Sequence, residues 1–280
     1  MKRYTVAFKK YIPSPLKLIL RNMYYGSIDI AESMLGLRDV LTPPRRKIFV
    51  GEDDFKKNGE EFLQYFIELG ELKSDKRVLD VGSGFGRMAV PLTNYLSTRG
   101  EYWGIDIVRD GINWCQRHIT PKFSNFHFQF SDIYNGRYNQ HGKYRAHEYK
   151  FPFESENFDF VFLASVFTHM FPIDLENYLS EISRVLRRNG KCLITFFLLN
   201  FESRNLISAG ASTLDFKYGI DGCLTADNHK PESAIAYDEV FMRKLYEKYG
   251  LKIIEPIRFG SWCGRNGFLS YQDIILGVKR

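Results

Sequence analysis

Three carboxylates in this 280-residue chain stand at or beside the ends of short apolar runs. Asp80 follows Val78-Leu79, Asp106 closes Tyr102-Trp103-Gly104-Ile105, and Asp132 follows Phe130-Ser131. Between the first and the second lie Gly82, Gly84 and Gly86, in the order Gly82-Ser83-Gly84-Phe85-Gly86-Arg87. Glycines at alternate positions let the backbone turn sharply and pass close to a bulky group, with amide N–H groups aimed at it. A dinucleotide fingerprint requires a glycine or alanine at position 87, where this chain has Arg87. A carboxylate at Asp80 would repel a pyrophosphate and attract a cation, such as a sulfonium bearing an α-amino group. Asp106, 20 residues beyond Gly86, is placed to accept both hydroxyls of a ribose. Ser131-Asp132 offers a polar pair to the edge of an adenine. A fourth apolar run ends at Ser165, with His169 four residues on.

Such a site needs strands that end together at one edge of a sheet. The sequence predicts short buried strands at 77–81, 102–106, 126–131, 158–163 and 191–197. They alternate with helices at 87–97, about 110–118 and 174–187, the last stopped by Gly190. This alternation specifies a parallel sheet covered on both faces. A helix at 54–69 precedes it, opened by Asp53-Asp54, with Phe55, Phe62, Phe66 and Leu69 as its apolar stripe. A helix at 238–249 and strands at 251–259 and 272–278 follow. Two connections are too long for simple turns: 133–157, rich in tyrosine, and 199–236. Connections of that length usually carry function.

Composition bounds the class. With 44% hydrophobic and 16% aromatic residues, the chain can bury a large core. No run of about 18 apolar residues predicts a membrane-spanning helix. Charges and prolines interrupt the N-terminal region where a signal peptide needs a continuous apolar core. Cys115, Cys192, Cys223 and Cys263 include no CxxC pair, and no metal-ligand spacing is present. A cytoplasmic protein with reduced thiols is the expectation.

The charge is uneven. Ten Lys/Arg stand against three acids up to residue 47, a surplus of +7; the whole chain is +6, so residues 48–280 sum to −1. Residues 1–50 read as a basic helical extension, amphipathic over 16–37 and followed by the stiff Thr42-Pro43-Pro44. Residues 51–280 read as the main domain. The basic arm, residues 1–47, suits peripheral contact with the inner, anionic face of a membrane or with nucleic acid. It reads equally as a solvated segment.

In combination these features resemble the class I S-adenosylmethionine-dependent methyltransferases over roughly residues 50–197. The matching pieces are Val78–Arg87, Gly104–Ile107, Ser131–Ile133, Phe158–Met170 and Arg184–Phe197. The resemblance implies an α/β, Rossmann-like fold. Its sheet has seven mostly parallel strands, the last antiparallel, with helices on both faces and here an N-terminal helical extension. It implies S-adenosyl-L-methionine as cofactor. Asp80 would hold the methionine part, and Gly82 and Gly84 would admit the backbone close to it. Asp106 would bind the ribose, with Ile107 on the adenine. Asp132 would accept from the adenine amino group, with Ile133 beside the ring. Ala164 and Ser165 would lie near the sulfur. Gly86 reads as a packing residue between helix and strand.

Methyl transfer is an in-line displacement, so the protein mainly aligns nucleophile, carbon and sulfur. A hydroxyl acceptor also calls for a general base. His169 is the candidate, although a histidine there also serves to cap or pack the loop; Phe167 and Thr168 would be pocket wall. Tyr237, His229, Glu232, Gln272 and Asp273 are further candidates. The aromatic residues of the two long connections, with Trp262 and Tyr271 added, are expected on an acceptor surface, where aromatic faces stack on sugars. Leu163-Ala164-Ser165-Val166 stands where methyltransferases of planar nitrogens carry an Asn-Pro-Pro-Tyr type motif. The resemblance therefore favours a small or medium acceptor with a reactive oxygen, on a sugar, glycolipid or natural-product scaffold, and disfavours nucleobases. Similar bacterial proteins are associated with polysaccharide biosynthesis. RNA or protein methylation through the basic arm is the alternative. A non-catalytic methyltransferase-fold partner is another, against which the intact Asp80–Asp106–Asp132 set speaks. The sequence leaves the oligomeric state open.

Overall fold

Strand β1 (Arg77–Val81) is central because its residues are apolar on both sides and must be covered on both. The computed structural model of the chain describes residues 14–35, 39–47, 55–136 and 138–280. Residues 1–13 of the basic arm and the Asp53-Asp54 pair lie outside them. β1 pairs in parallel with β2 (Glu101–Asp106) on one side and with β4 (Phe158–Leu163) on the other. β3 (Phe126–Phe130) extends the sheet beyond β2, and β5 (Leu186–Phe196) extends it beyond β4. The late strands are β10 (Leu251–Ile253) and β11 (Asp273–Lys279), and β11 runs antiparallel to both β10 and β5. The order is β10-β11-β5-β4-β1-β2-β3, seven strands with the last antiparallel, as expected.

The pleat divides the core in two. Leu79, Val161 and Leu163 face one core with helices α5 (Pro172–Val185) and α7 (Glu239–Lys248). Val78, Phe160 and Phe162 face the other, with α2 (Phe55–Glu68), α3 (Ala89–Tyr95) and α4 (Arg109–His118). Strand direction and pleat together put helices on both faces.

The larger differences from the sequence reading are local. α5 ends at Val185 rather than at 187, and the strand then begins at Leu186, with Asn189 at φ 63°. The strand expected over 251–259 stops at Ile253, because Pro256 has no N–H to give the ladder. The 199–236 connection is largely ordered. It holds α6 (Phe201–Ser208), β7 (Tyr218–Ile220) and β8 (Cys223–Thr225). With β6 (Leu198–Leu199) and β9 (Ile235–Asp238) these form a second sheet, β6-β9-β8-β7. A third core of Phe197, Phe216, Ala236 and Trp262 lies with it. The amphipathic stretch forms a single helix, α1 (Ser14–Met34), and the Asp29 carboxylate ties it to the Arg45–Lys47 turn. Among the described residues no helix is long and apolar enough to cross a membrane.

Candidate functional site

A cavity of about 210 Å³ opens where the carboxyl ends of β1, β2, β3 and β4 meet. The glycine turn forms part of its wall. Gly84 has φ 52°, and a side chain there would meet nothing within 4 Å, so the space beside it is free for a ligand. Gly82, at φ 96°, would drive a Cβ to 2.3 Å from Val166 Cγ2, which locks the turn against the end of β4. Gly86 abuts Ile119 Cδ1 and Cys115 Sγ, at 2.9 and 3.0 Å from a Cβ built on it, in keeping with packing. The Ser83 hydroxyl oxygen is buried in this wall and has no hydrogen-bond partner among the described residues. Such an atom is costly unless something in the cavity pairs with it.

The end of β2 supplies Asp106, Ile107 and Val108 to the wall. The Asp106 carboxylate accepts the Gly84 and Val108 N–H groups at 2.6 Å each, and burial pushes its pKa up to about 6. The Gly84 bond holds the turn and the β2 acid as one unit. Ser131 and Ile133 line the cavity from the end of β3. Asp132, between them, is not among the lining residues; its carbonyl accepts the Tyr144 N–H. Asp80 is also absent from the lining. It is 2% exposed, takes the Tyr102 hydroxyl at 2.6 Å, and burial pushes its pKa up to about 8 despite the Arg87 guanidinium nearby.

β4 ends in Ala164, Ser165 and the turn Phe167–His169. Ser165 sits at φ 61°, its N–H on Thr195 Oγ1 and its hydroxyl on Gln272 Oε1. Both Ser165 and His169 line the cavity. His169 Nδ1 is 2.7 Å from the Glu232 carbonyl oxygen, which can only accept. That assigns the hydrogen to Nδ1, so the neutral ring carries its lone pair on Nε2. Glu232 also accepts from Asn135 Nδ2 at 3.2 Å, and the Tyr138 ring stands edge-on to His169. The two long connections thus meet over the histidine.

Of the other candidates, none reaches the cavity wall. Tyr237 spends its buried hydroxyl on the Phe167 and Met170 carbonyls. His229 is exposed, with its N–H on Asp227. Asp273 is fully buried beneath the small sheet, accepting from Leu198, Gly260 and Trp262. The expectation for Trp262 is corrected: it is fully buried in the third core, its indole N–H held by Asp273. Tyr271 is exposed and pairs with Thr213. Tyr134 and Tyr138, aromatic residues of the first long connection, line the cavity; the sequence reading missed Phe55, Arg87, Asn135 and Tyr178 as wall residues. Phe55 was visible only as one member of an apolar stripe, which spacing cannot divide between core and cavity.

Residues 79–194, from β1 into β5, match the family model described as a methyltransferase domain. This stretch is a methyltransferase domain of the S-adenosylmethionine-dependent class. The fatty-acid O-methyltransferase of Mycolicibacterium smegmatis is 32% identical over 120 residues, which is 43% of this chain and 36% of that protein. The solved structure of the PH0226 protein from Pyrococcus horikoshii has a TM-score of 0.56 at 17% identity, covering 84% of this chain and 95% of that one. Magnesium protoporphyrin IX methyltransferase from Synechocystis, solved with bound SAH, has a TM-score of 0.52 at 14% identity, covering 94% and 100%. At these identities the two structures establish the fold. The chain spans about half or less of the length of the curated relatives it matches.

The domain's wall fits S-adenosylmethionine. The unpaired Ser83 hydroxyl, the open side of Gly84 and the Asp106 carboxylate offer a donor, room and an acceptor to a nucleoside. Arg87 lines the cavity beside the turn, where a guanidinium suits the carboxylate of an amino-acid tail, while Asp80 stands behind the wall on Tyr102.

Proposed function

We propose that this protein transfers a methyl group from S-adenosylmethionine to an oxygen, hydroxyl or carboxylate, of a small or medium acceptor on a sugar, glycolipid or natural-product scaffold. The observation that carries this reading is His169, oriented by the Glu232 carbonyl at the cavity wall beside Ser165. When bound, S-adenosylmethionine supplies an electrophilic methyl carbon and a neutral thioether as leaving group. Asp106 orients the nucleoside by accepting from its ribose. Ser165, pinned by Thr195 and Gln272, fixes the wall beside the reacting end. His169 Nε2 takes the proton of a hydroxyl acceptor as its oxygen bonds to the methyl carbon, and the Glu232 carbonyl stabilises the charged ring that results. A carboxylate acceptor needs no base, and there His169 positions it. Tyr134 and Tyr138 offer aromatic faces on the acceptor side.

Methyl-labelled S-adenosylmethionine with a panel of sugars, glycolipids, fatty acids and RNA tests the reading. Label in an ether or ester is expected. For a hydroxyl acceptor, His169→Ala should lower kcat by about 10²–10⁴-fold with the cofactor Kd within a few-fold. Label in RNA alone, or no cofactor binding at hundreds of micromolar, overturns it.

A further inference from the structure

The N-terminal helix carries an apolar stripe that is exposed among the described residues. Met23 is 68% exposed, Ile30 57% and Met34 83%, with Tyr24 and Leu35 exposed beside them. At 100° per residue Met23, Ile30 and Met34 fall within roughly 40° of one another. In the sequence, Leu16, Ile19 and Leu20 recur at the same helical spacing. This is a row and not a scatter of single exposed residues, and so it calls for an occupant.

Charge chooses the occupant. Asp29 and Glu32 lie roughly 100–180° around the helix from the stripe. Asp29 accepts the Arg45 and Arg46 amides at 2.8 and 3.4 Å, and Glu32 pairs with Arg45 at 2.6 Å. Asp39, the third acid of the arm, pairs with Lys56 at 2.6 Å. All three acids are thus engaged away from the stripe. Lys2, Arg3, Lys9, Lys10, Lys17 and Arg21 precede Met23 in the chain with no acid among them. An acid-free apolar row joined to a strongly basic segment is complementary to an anionic bilayer surface, where acyl chains meet the stripe and headgroups meet the cations. A polyanion such as RNA would satisfy the cations and leave the apolar row in water.

We propose that α1 is a peripheral docking helix for an anionic phospholipid surface, lying in the interface with Met23, Ile30 and Met34 inserted. The proposal stands whatever the acceptor, because it rests on the extension and not on the cavity.

Co-sedimentation of the full chain with vesicles tests it. Binding is expected to phosphatidylcholine mixed with phosphatidylglycerol and not to phosphatidylcholine alone. Raising the salt should release it, since each Lys/Arg near the surface contributes about fivefold and the attraction is screened within a Debye length. The combined Met23→Glu, Ile30→Glu and Met34→Glu variant should lose about a hundredfold in vesicle affinity. Its S-adenosylmethionine Kd should be unchanged, which reports that the domain is folded. Four results overturn the proposal: no binding to anionic vesicles; equal binding by the variant; a dimer in light scattering that the variant dissolves; or retention on polyuridylate with none on vesicles.

Discussion

Asp106 and Asp273 are buried carboxylates four strands apart along one edge of the sheet, and they begin alike. Each accepts two backbone N–H groups at 2.6 Å, from Gly84 and Val108 in one case and from Leu198 and Gly260 in the other. Burial pushes the pKa of each up to about 6. They differ in what fills the remaining sides. Asp273 takes a third donor, the Trp262 indole at 2.8 Å, and stands 3.6 Å from the buried Arg265 guanidinium. Asp106 instead borders the cavity. A buried acid closed on every side fastens a fold, and the same acid left open on one side is available to a ligand.

The largest effect expected from this contrast is on stability. Asp273→Ala leaves three buried donors without their acceptor, while Arg265 keeps Glu202, and the unpaired donors cost about 1–3 kcal/mol each. Urea denaturation should report that loss, and S-adenosylmethionine should still bind the folded fraction within about threefold. Loss of cofactor binding by folded protein would break the comparison, because the small sheet would then be part of the cofactor site.

Asp106→Ala should do the reverse. Two charge-assisted bonds to a ribose are worth about 1.5–3 kcal/mol each, so affinity should fall about a hundredfold or more, with a smaller change in stability than at Asp273. The pH dependence sharpens this. The folded pKa of about 6 lies above the ordinary 3.8, so the ionised form is the one that burial disfavours. Its contribution to stability is full below about pH 4 and is lost as pH rises through about 6. A ribose needs the ionised acceptor, so affinity should rise over the same window, by up to about tenfold per unit. Calorimetric titration between pH 5 and pH 8 should show that rise, and Asp106→Ala should flatten its lower limb. Equal affinity at pH 5 and pH 7 would remove Asp106 from the binding role.

The two acids also show what could be read from the sequence. Asp106 was legible because strand, turn and partner strand lie within 30 residues and each has a local signature. Asp273 was not, because its partners come from Leu198, Gly260 and Trp262, and nothing local marks Gln272-Asp273-Ile274 as an anchor rather than a site. Trp262 was misplaced on the surface for the same reason. The small sheet was missed because β7 and β8 have three residues each, too few to show a period. His169 was found from its place after β4. The Glu232 carbonyl that orients it lies 63 residues away and is a backbone atom, invisible to any reading of side-chain types.

The smallest effect should come from the glycine turn, where binding and packing stand two residues apart. Alanine at Gly84 must adopt φ 52°, which costs about 1–2 kcal/mol, but its Cβ meets no protein atom within 4 Å. Alanine at Gly86 bears a similar backbone cost and also presses on Ile119 and Cys115. Gly84→Ala should therefore lose only that backbone cost in urea and bind S-adenosylmethionine about tenfold more weakly, because its methyl group takes up ligand space. Gly86→Ala should be the less stable of the two and bind the cofactor with nearly parental affinity. If the two variants exchange these behaviours, the ligand lies against the helix side of the turn, and Asp106 faces it from the wrong flank.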